Sequence, residues 1–309
     1  MRRVPELSLA DYTQGTHRAR DAFCDELTRG LQRYGFIILR DHPVSMTLLD
    51  AAYRLSAELF AQPEEIKNRY IGGPRGYAPF RTERARQRSV PDLKEFWQIG
   101  PERTDGVSRG PTEPPNIWPA WPPGFKETFL ELFGALQDTG RIILEALTPG
   151  LSLPADFFVP MVNDANSVLR LLHYPPVPDD ADPESVRAAA HEDINLLTLL
   201  VAAQGAGLEL LDRDGRWLPV ETVRNNLIID SGDMLARITN DVIPATTHRV
   251  VNPAGGNVSR YSMPFFMHPN SDAVLRCLPS CVGTGAKYPE ITAAEFLERR
   301  LREIGLLTK

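Results

Sequence analysis

The chain has 309 residues, a formal charge of −6 and a pI near 5.6. That length can bury a large core and suits a single barrel-containing domain, and the acidic balance argues against a general nucleic-acid or anionic-membrane binder. No apolar run approaches the ~20 residues of a membrane span. The start, Met1-Arg2-Arg3-Val4-Pro5, lacks the apolar region of a signal peptide. Cys24, Cys277 and Cys281, an odd and sparse set, read as reduced thiols of a cytoplasmic protein rather than a disulfide framework or a zinc site.

In chain order, Val4 to Tyr12 reads as an extended entry. Phe23, Leu27 and Leu31 at helical spacing predict a helix over His17–Tyr34, stopped by Gly35. Phe36-Ile37-Ile38-Leu39 is a short apolar run fit for a buried strand. The turn Asp41-His42-Pro43-Val44 leads to a second helix over Met46–Ala61, with Leu49, Ala52, Leu55 and Phe60 on one side; His42 reads as a turn residue. Ile71 to Thr112 is loop-rich, broken by Gly72-Gly73-Pro74 and Gly76, and carries Arg75, Arg81, Arg84, Arg86 and Arg88. Two readings stand for those arginines: a solvated loop balanced by Glu83 and Asp92, which is favoured, and an attractor for an anionic substrate.

A long amphipathic helix follows over Lys126–Leu147. From Ser167 the period becomes that of strands: Val168–Tyr174, Leu196–Val201, Leu208–Leu211, Leu227–Asp230, Met234–Ile238, Thr246–Val251 and Arg260–Phe266, with a turn at Asp212–Gly215. Ile291–Leu307 reads as a closing helix. Many short strands between turn signals suit a double-sheet jelly roll. The expected fold is mainly β with flanking helices around a double-stranded β-helix, cupin-like core. Its expected organisation is one domain over 1–309: a helical and strand region at 1–165, the jelly roll at 166–285 and a C-terminal helix at 286–309. From His248 to Arg260 the chain could form a plain hairpin; a jelly-roll crossing is favoured.

The chemistry concentrates between His191 and Ser262. His191 and Asp193 are two residues apart, so on an extended segment both face one side while Glu192 faces the other. His248 is far enough along to sit on another strand. Two imidazoles and a carboxylate are the set that holds a non-haem Fe(II) on one face and leaves its other positions open. Arg260 and Ser262 repeat the spacing, placing a guanidinium and a hydroxyl together as a carboxylate clamp.

The order His-x-Asp, long gap, His, then Arg-x-Ser resembles the isopenicillin N synthase-like family of Fe(II)- and 2-oxoglutarate-dependent oxygenases. The flanking "SGDMLARITNDVIPATTHRVVNP" is similar to that family's Gly-Asp…Thr-Asn…His-Arg-Val block, and "GFIILRDHPVSMTLLDAAYRLSAELFAQPEEIKNRY" to its N-terminal block. The resemblance implies that His191, Asp193 and His248 bind Fe(II), and that Arg260 and Ser262 bind 2-oxoglutarate with Tyr174 beside them, although as a buried strand aromatic Tyr174 could equally be core. The pieces "RGYAPF" and "DLKEFWQIG" resemble segments near the substrate entrance, which makes Arg75, Tyr77, Phe96, Gln98 and, on the first barrel strand, Arg170 candidate substrate residues.

The implied reaction hydroxylates or desaturates a small molecule, carboxylate-bearing molecules included, and releases succinate and CO₂, with O₂ as cosubstrate and ascorbate as an aid. Two alternatives stand beside it: an Fe(II) oxidase that dispenses with 2-oxoglutarate, as isopenicillin N synthase does, and a catalytically silent metal- or ligand-binding module. Expected partners are the small molecule alone, with no nucleic acid and no membrane, in a monomer or weak homodimer. Glu192 departs from the small polar residue that many relatives carry there, and its side chain is expected to point away from the metal.

Overall fold

The computed structural model describes residues 3–84, 90–103, 113–204, 206–221, 223 and 225–303. The chain enters as β1 (Glu6–Ser8) and turns at once into a short helix, α1 (Leu9–Thr13), where the sequence reads as extended throughout. Leu9 and Tyr12 are one turn apart and both buried, so tertiary burial decides this element. Helix α2 (His17–Tyr34) starts where the Thr16 side chain accepts from the Ala19 N–H, and stops at Gly35. There φ is +66°, and a Cβ would meet Thr246 Oγ1 at 2.1 Å, so only glycine fits. Strand β2 (Phe36–Arg40), α3 (Met46–Phe60) capped by Ser45, and the single turn α4 (Glu64–Lys67) follow.

The stretch expected to be loop carries two strands, β3 (Gly76–Ala78) and β4 (Glu95–Ile99). The charged residues Asp92, Lys94 and Glu95 hide the second one: they look like solvent-facing residues, yet all three are buried among opposite charges. Next come α5 (Phe125–Leu147), α6 (Val159–Val162), β5 (Val168–Tyr174), β6 (Ala188–His191), β7 (Leu197–Gln204), β8 (Leu208–Leu211), β9 (Trp217–Pro219) and β10 (Leu227–Ser231).

The run expected as a strand at 234–238 is instead a helix, α7 (Asp233–Ile238). Met234, Leu235, Ala236 and Ile238 are buried on all sides, and a short apolar run carries no period that separates helix from strand. The chain closes with β11 (His248–Val250), β12 (Arg260–Met267), the pair β13 (Val274–Leu275) and β14 (Ile291–Thr292), and α8 (Ala293–Glu303). Arg86, Arg88, and the Ile304 and Leu306 expected at the end of the last helix, lie outside the described residues.

Among the described residues the strands form a large sheet in the order β1-β2-β10-β7-β12-β5-β4-β3, a smaller one ordered β6-β11-β8-β9, and the pair β13-β14. β11 lies in the smaller sheet and β12 in the larger, so His248 to Arg260 is the jelly-roll crossing and not a hairpin. The core has two layers, sorted by the alternation of the strands. Leu169, Leu171, Trp97 and Tyr77 pack with α2, α3 and α5 on the outer face of the large sheet. Phe36, Phe96, Leu172, Tyr174, Ala188, Leu208, Ile228 and Val250 meet between the sheets. Among the described residues no helix is long and apolar enough to cross a membrane.

Candidate active site

The inter-sheet layer is open at one end, and the cavity there is lined by residues of both sheets, His191, Asp193, His248, Arg260 and Ser262 among them. β6 and β11 run antiparallel with His191 directly opposite His248, their ring centroids 4.4 Å apart. Asp193 follows β6 by two residues and turns Oδ1 toward both rings, 3.7 Å from His191 Nε2 and 3.9 Å from His248 Nε2. The three side chains can each offer one ligand atom within 4.8 Å of the others. Glu192 points away and accepts a hydrogen bond from the Thr247 hydroxyl.

The surroundings settle which atoms remain free. His191 Nδ1 is 2.7 Å from the Ala189 carbonyl and His248 Nδ1 is 3.1 Å from that of Thr246, so each Nδ1 is a donor to backbone and each Nε2 is the ring nitrogen turned to the triad. Burial, then the neighbouring His191, holds His248 down to about 4, so its ring is neutral. The Thr198 hydroxyl donates to Asp193 Oδ2 and in turn accepts from Asn195 Nδ2 at 3.0 Å, which leaves Oδ1 for the centre of the triad. Asp230 lies 3.5 Å from His248 Nδ1; burial first, and then Asp193, push its carboxyl well above the usual range. The backbone N–H of Asp233, at the start of α7, donates to the Asp193 carbonyl at 2.7 Å, and Arg300 of α8 lies 2.9 Å from the Asp233 carboxylate.

Deeper in the cavity, Arg260 is 2 % exposed, and its Nε and Nη1 have no hydrogen-bond partner. Its cross-strand partner on β5 is Tyr174, whose ring lies 5.1 Å from the guanidinium carbon, and buried Ser262 is two residues along on the same face. Unpaired N–H groups on a buried cation are costly, and a carboxylate satisfies them in parallel. A triad with free Nε2 and Oδ1 atoms beside a buried guanidinium awaiting an anion fits iron(II) together with a dicarboxylate cosubstrate.

The other candidates divide by strand parity. Arg170, Leu172 and Tyr174 of β5 line the cavity. Phe96 lies beneath the Arg170 guanidinium at 4.3 Å, and Gln98 Oε1 accepts from it at 2.9 Å. Arg75 and Tyr77 have the opposite parity and face the packed side. Arg75 donates to Asn166 at 2.6 Å and Tyr77 to Glu95, and both are buried away from the cavity. His173 faces the same way, bonded to Glu95 and stacked on Tyr261. Lys94, two residues before Phe96, does line the cavity; period-two counting from Phe96 and Gln98 would have found it. A lone carboxylate ending an apolar strand is the signal that could have found Asp230, whereas Thr198 gives no sequence signal.

Residues 165–269 match the 2OG-Fe(II) oxygenase superfamily, and residues 4–121 match the N-terminal region described for a non-haem dioxygenase in morphine synthesis. The 2-oxoglutarate-Fe(II) type oxidoreductase hxnY of Emericella nidulans is 31% identical over 300 residues, covering 92% of this chain and 85% of that one. A 2OG-Fe(II) oxygenase family protein from Caulobacter crescentus superposes with a TM-score of 0.88 at 44% identity, covering 97% of this chain and 99% of that one. A full-length Neurospora crassa protein solved in complex with alpha-KG and thymine does so with a TM-score of 0.87 at 28% identity, covering 97% and 96%.

The chain belongs to the isopenicillin N synthase-like family of Fe(II)/2-oxoglutarate oxygenases. It is an Fe(II)- and 2-oxoglutarate-dependent dioxygenase acting on a small molecule.

Proposed function

We propose that His191, Asp193 and His248 hold the iron, that Arg260 and Ser262 receive the far carboxylate of 2-oxoglutarate with Tyr174 beside it, and that a C–H bond of a small molecule is oxidised in the cavity between the sheets. When bound, iron(II) and 2-oxoglutarate supply the activation of O₂, one oxygen atom leaving in succinate with loss of CO₂ and the other oxidising the substrate. The chain's own work is placement. The Ala189 and Thr246 carbonyls orient the imidazoles, Thr198 occupies the second oxygen of Asp193, and the wall of Leu172, Leu200, Ile228, Val250 and Phe266 keeps the reacting space apolar. No nucleophile or general base is required.

The observation that carries this reading is the buried Arg260 with two unpartnered nitrogens, in the same cavity as the triad. The thymine held by the Neurospora crassa relative supports a substrate of small-heterocycle size. The domain reading of 1–309 as one unit is supported by β2 pairing with β10 and β4 pairing with β5, because the N-terminal strands complete the large sheet. The three free thiols suit a reducing cytoplasm. The test is an anaerobic titration of iron-loaded protein with 2-oxoglutarate, following the weak visible metal-to-ligand charge-transfer band. The band is expected to appear in the native protein and to vanish in Asp193→Ala; iron binding without a band would overturn the cosubstrate assignment.

A further inference from the structure

The cavity is bordered by an ionic cluster that none of the roles above uses. Lys94 Nζ lies 2.7 Å from Glu83 and 2.9 Å from Asp92. Arg170 Nη1 donates to both Glu83 oxygens at 3.2 and 3.3 Å, and its Nε and Nη2 donate to Gln98 Oε1 at 3.2 and 2.9 Å. Arg170 is also held flat, with the Phe96 ring at 4.3 Å and the Phe266 ring at 5.3 Å. Both cations line the cavity, and the side chains of Lys94, Glu83 and Arg170 are 8, 13 and 17 % exposed.

Two cations here face two carboxylates, and every nitrogen of Arg170 is engaged. The contrast with Arg260 is direct: among the described residues that line the cavity, Arg260 alone has guanidinium nitrogens without a partner. An anionic substrate would bring a third carboxylate against two committed cations, beside Asp193 and the cosubstrate. Displacing Glu83 from a buried pair leaves its own charge stranded, which is the costly way to break such a pair. Glu83 is firmly ionised: burial raises its pKa, but Arg170 and Lys94 outweigh that and hold it at about 2. Lys94 and Arg170 are thus already committed to carboxylates of the chain itself. Glu83 and Asp92, expected to balance the loop arginines in solvent, are paired instead with Lys94 and Arg170 in the cavity wall.

We infer that the substrate is uncharged where it meets Lys94 and Arg170, and that Glu83 determines this specificity by neutralising them. This rests on the cavity being the oxygenase site proposed above. The test uses native protein loaded with iron(II) and 2-oxoglutarate, without O₂. Two fragment sets of matched size are added, ring amides and the corresponding ring carboxylates, and binding is read from the shift of the visible band. Amides are expected to bind the native protein more tightly than their carboxylate partners. Glu83→Gln leaves one cation unbalanced, so carboxylates should gain about tenfold, roughly 1.4 kcal/mol. Glu83→Gln combined with Arg170→Gln restores neutrality and should lose that gain, an outcome mere loosening of the fold would not produce. Tighter carboxylate than amide binding in the native protein overturns the inference without any variant, as does an unchanged ratio in Glu83→Gln. The band itself is recorded before any fragment is added: if it forms and selectivity does not follow charge, only this inference fails, and if it never forms the cosubstrate reading fails first.

Discussion

Replacing Arg260 with leucine separates what this residue does for binding from what it does for folding, because the two effects have opposite sign. Arg260 is 2 % exposed, and its Nε and Nη1 find no partner among the chain's own atoms. Buried unsatisfied groups cost about 1–3 kcal/mol, more when charged. Leucine removes that cost while filling most of the space, so the variant's melting temperature should equal or exceed that of the native protein. With 2-oxoglutarate the sign reverses. Truncating one side of a buried, hydrogen-bonded charge pair costs about 2–5 kcal/mol, so the affinity should fall roughly thirtyfold to several thousandfold. The assay is thermal unfolding of the iron-loaded protein with and without 2-oxoglutarate, beside the anaerobic titration of the visible band. Native protein at a hundredfold excess over Kd gains about 2.7 kcal/mol from ligand linkage, and the variant should gain at most about 0.9 kcal/mol at the same concentration. A variant that keeps its 2-oxoglutarate affinity, or that unfolds several degrees earlier without ligand, would refute the reasoning.

Three further outcomes follow from the geometry. Thr198→Val keeps the shape but removes the hydroxyl that donates to Asp193 Oδ2, and should weaken iron binding by about 10- to 100-fold in a metal-competition titration; unchanged affinity would remove Thr198 from the metal site. Burial first, and then Arg75, hold His268 down to about 4, below its ordinary value of 6.5. The unfolded chain therefore binds the extra proton first as pH falls: stability is complete above about 6.5 and drains away toward about 4, on the order of 1.4 kcal/mol per pH unit. Denaturant unfolding of metal-free protein at several pH values should show that slope, His268→Leu should reduce it, and a flat profile would contradict it. Arg300→Gln loosens the tie from α8 through Asp233 to the Asp193 carbonyl. Since that ion pair is partly exposed, iron dissociation should accelerate by no more than about fivefold, with recovery in Arg300→Lys, and no change in Arg300→Gln would sever the proposed coupling.

The sequence by itself carried the parts of this protein that depend on spacing along one segment. The helices at His17–Tyr34 and Met46–Phe60 are legible from their apolar stripes, and Gly35 from its place after the last turn. The pairs His191/Asp193 and Arg260/Ser262 are legible because two residues along extended chain return a side chain to the same face. Tertiary structure decided what depends on partners far away in the chain. His248 stands opposite His191 because β11 pairs with β6, and Tyr174 stands beside Arg260 because β12 pairs with β5. In α7 Met234, Leu235, Ala236 and Ile238 are buried and only Asp233 and Arg237 are partly exposed, too few polar positions in six residues to reveal its period.

The charged stretch from Asp92 to Glu95 was the hardest to read, and for one physical reason. Lys94, Asp92 and Glu95 look in sequence like residues of a solvated loop, yet each is buried and paired, Lys94 with Glu83 and Asp92, Glu95 with Lys67. A charge can enter the interior only when another charge meets it there. Composition and local spacing say that charges are present; only the folded chain says which of them face each other, and that among the described residues lining the cavity Arg260 keeps guanidinium nitrogens without a partner.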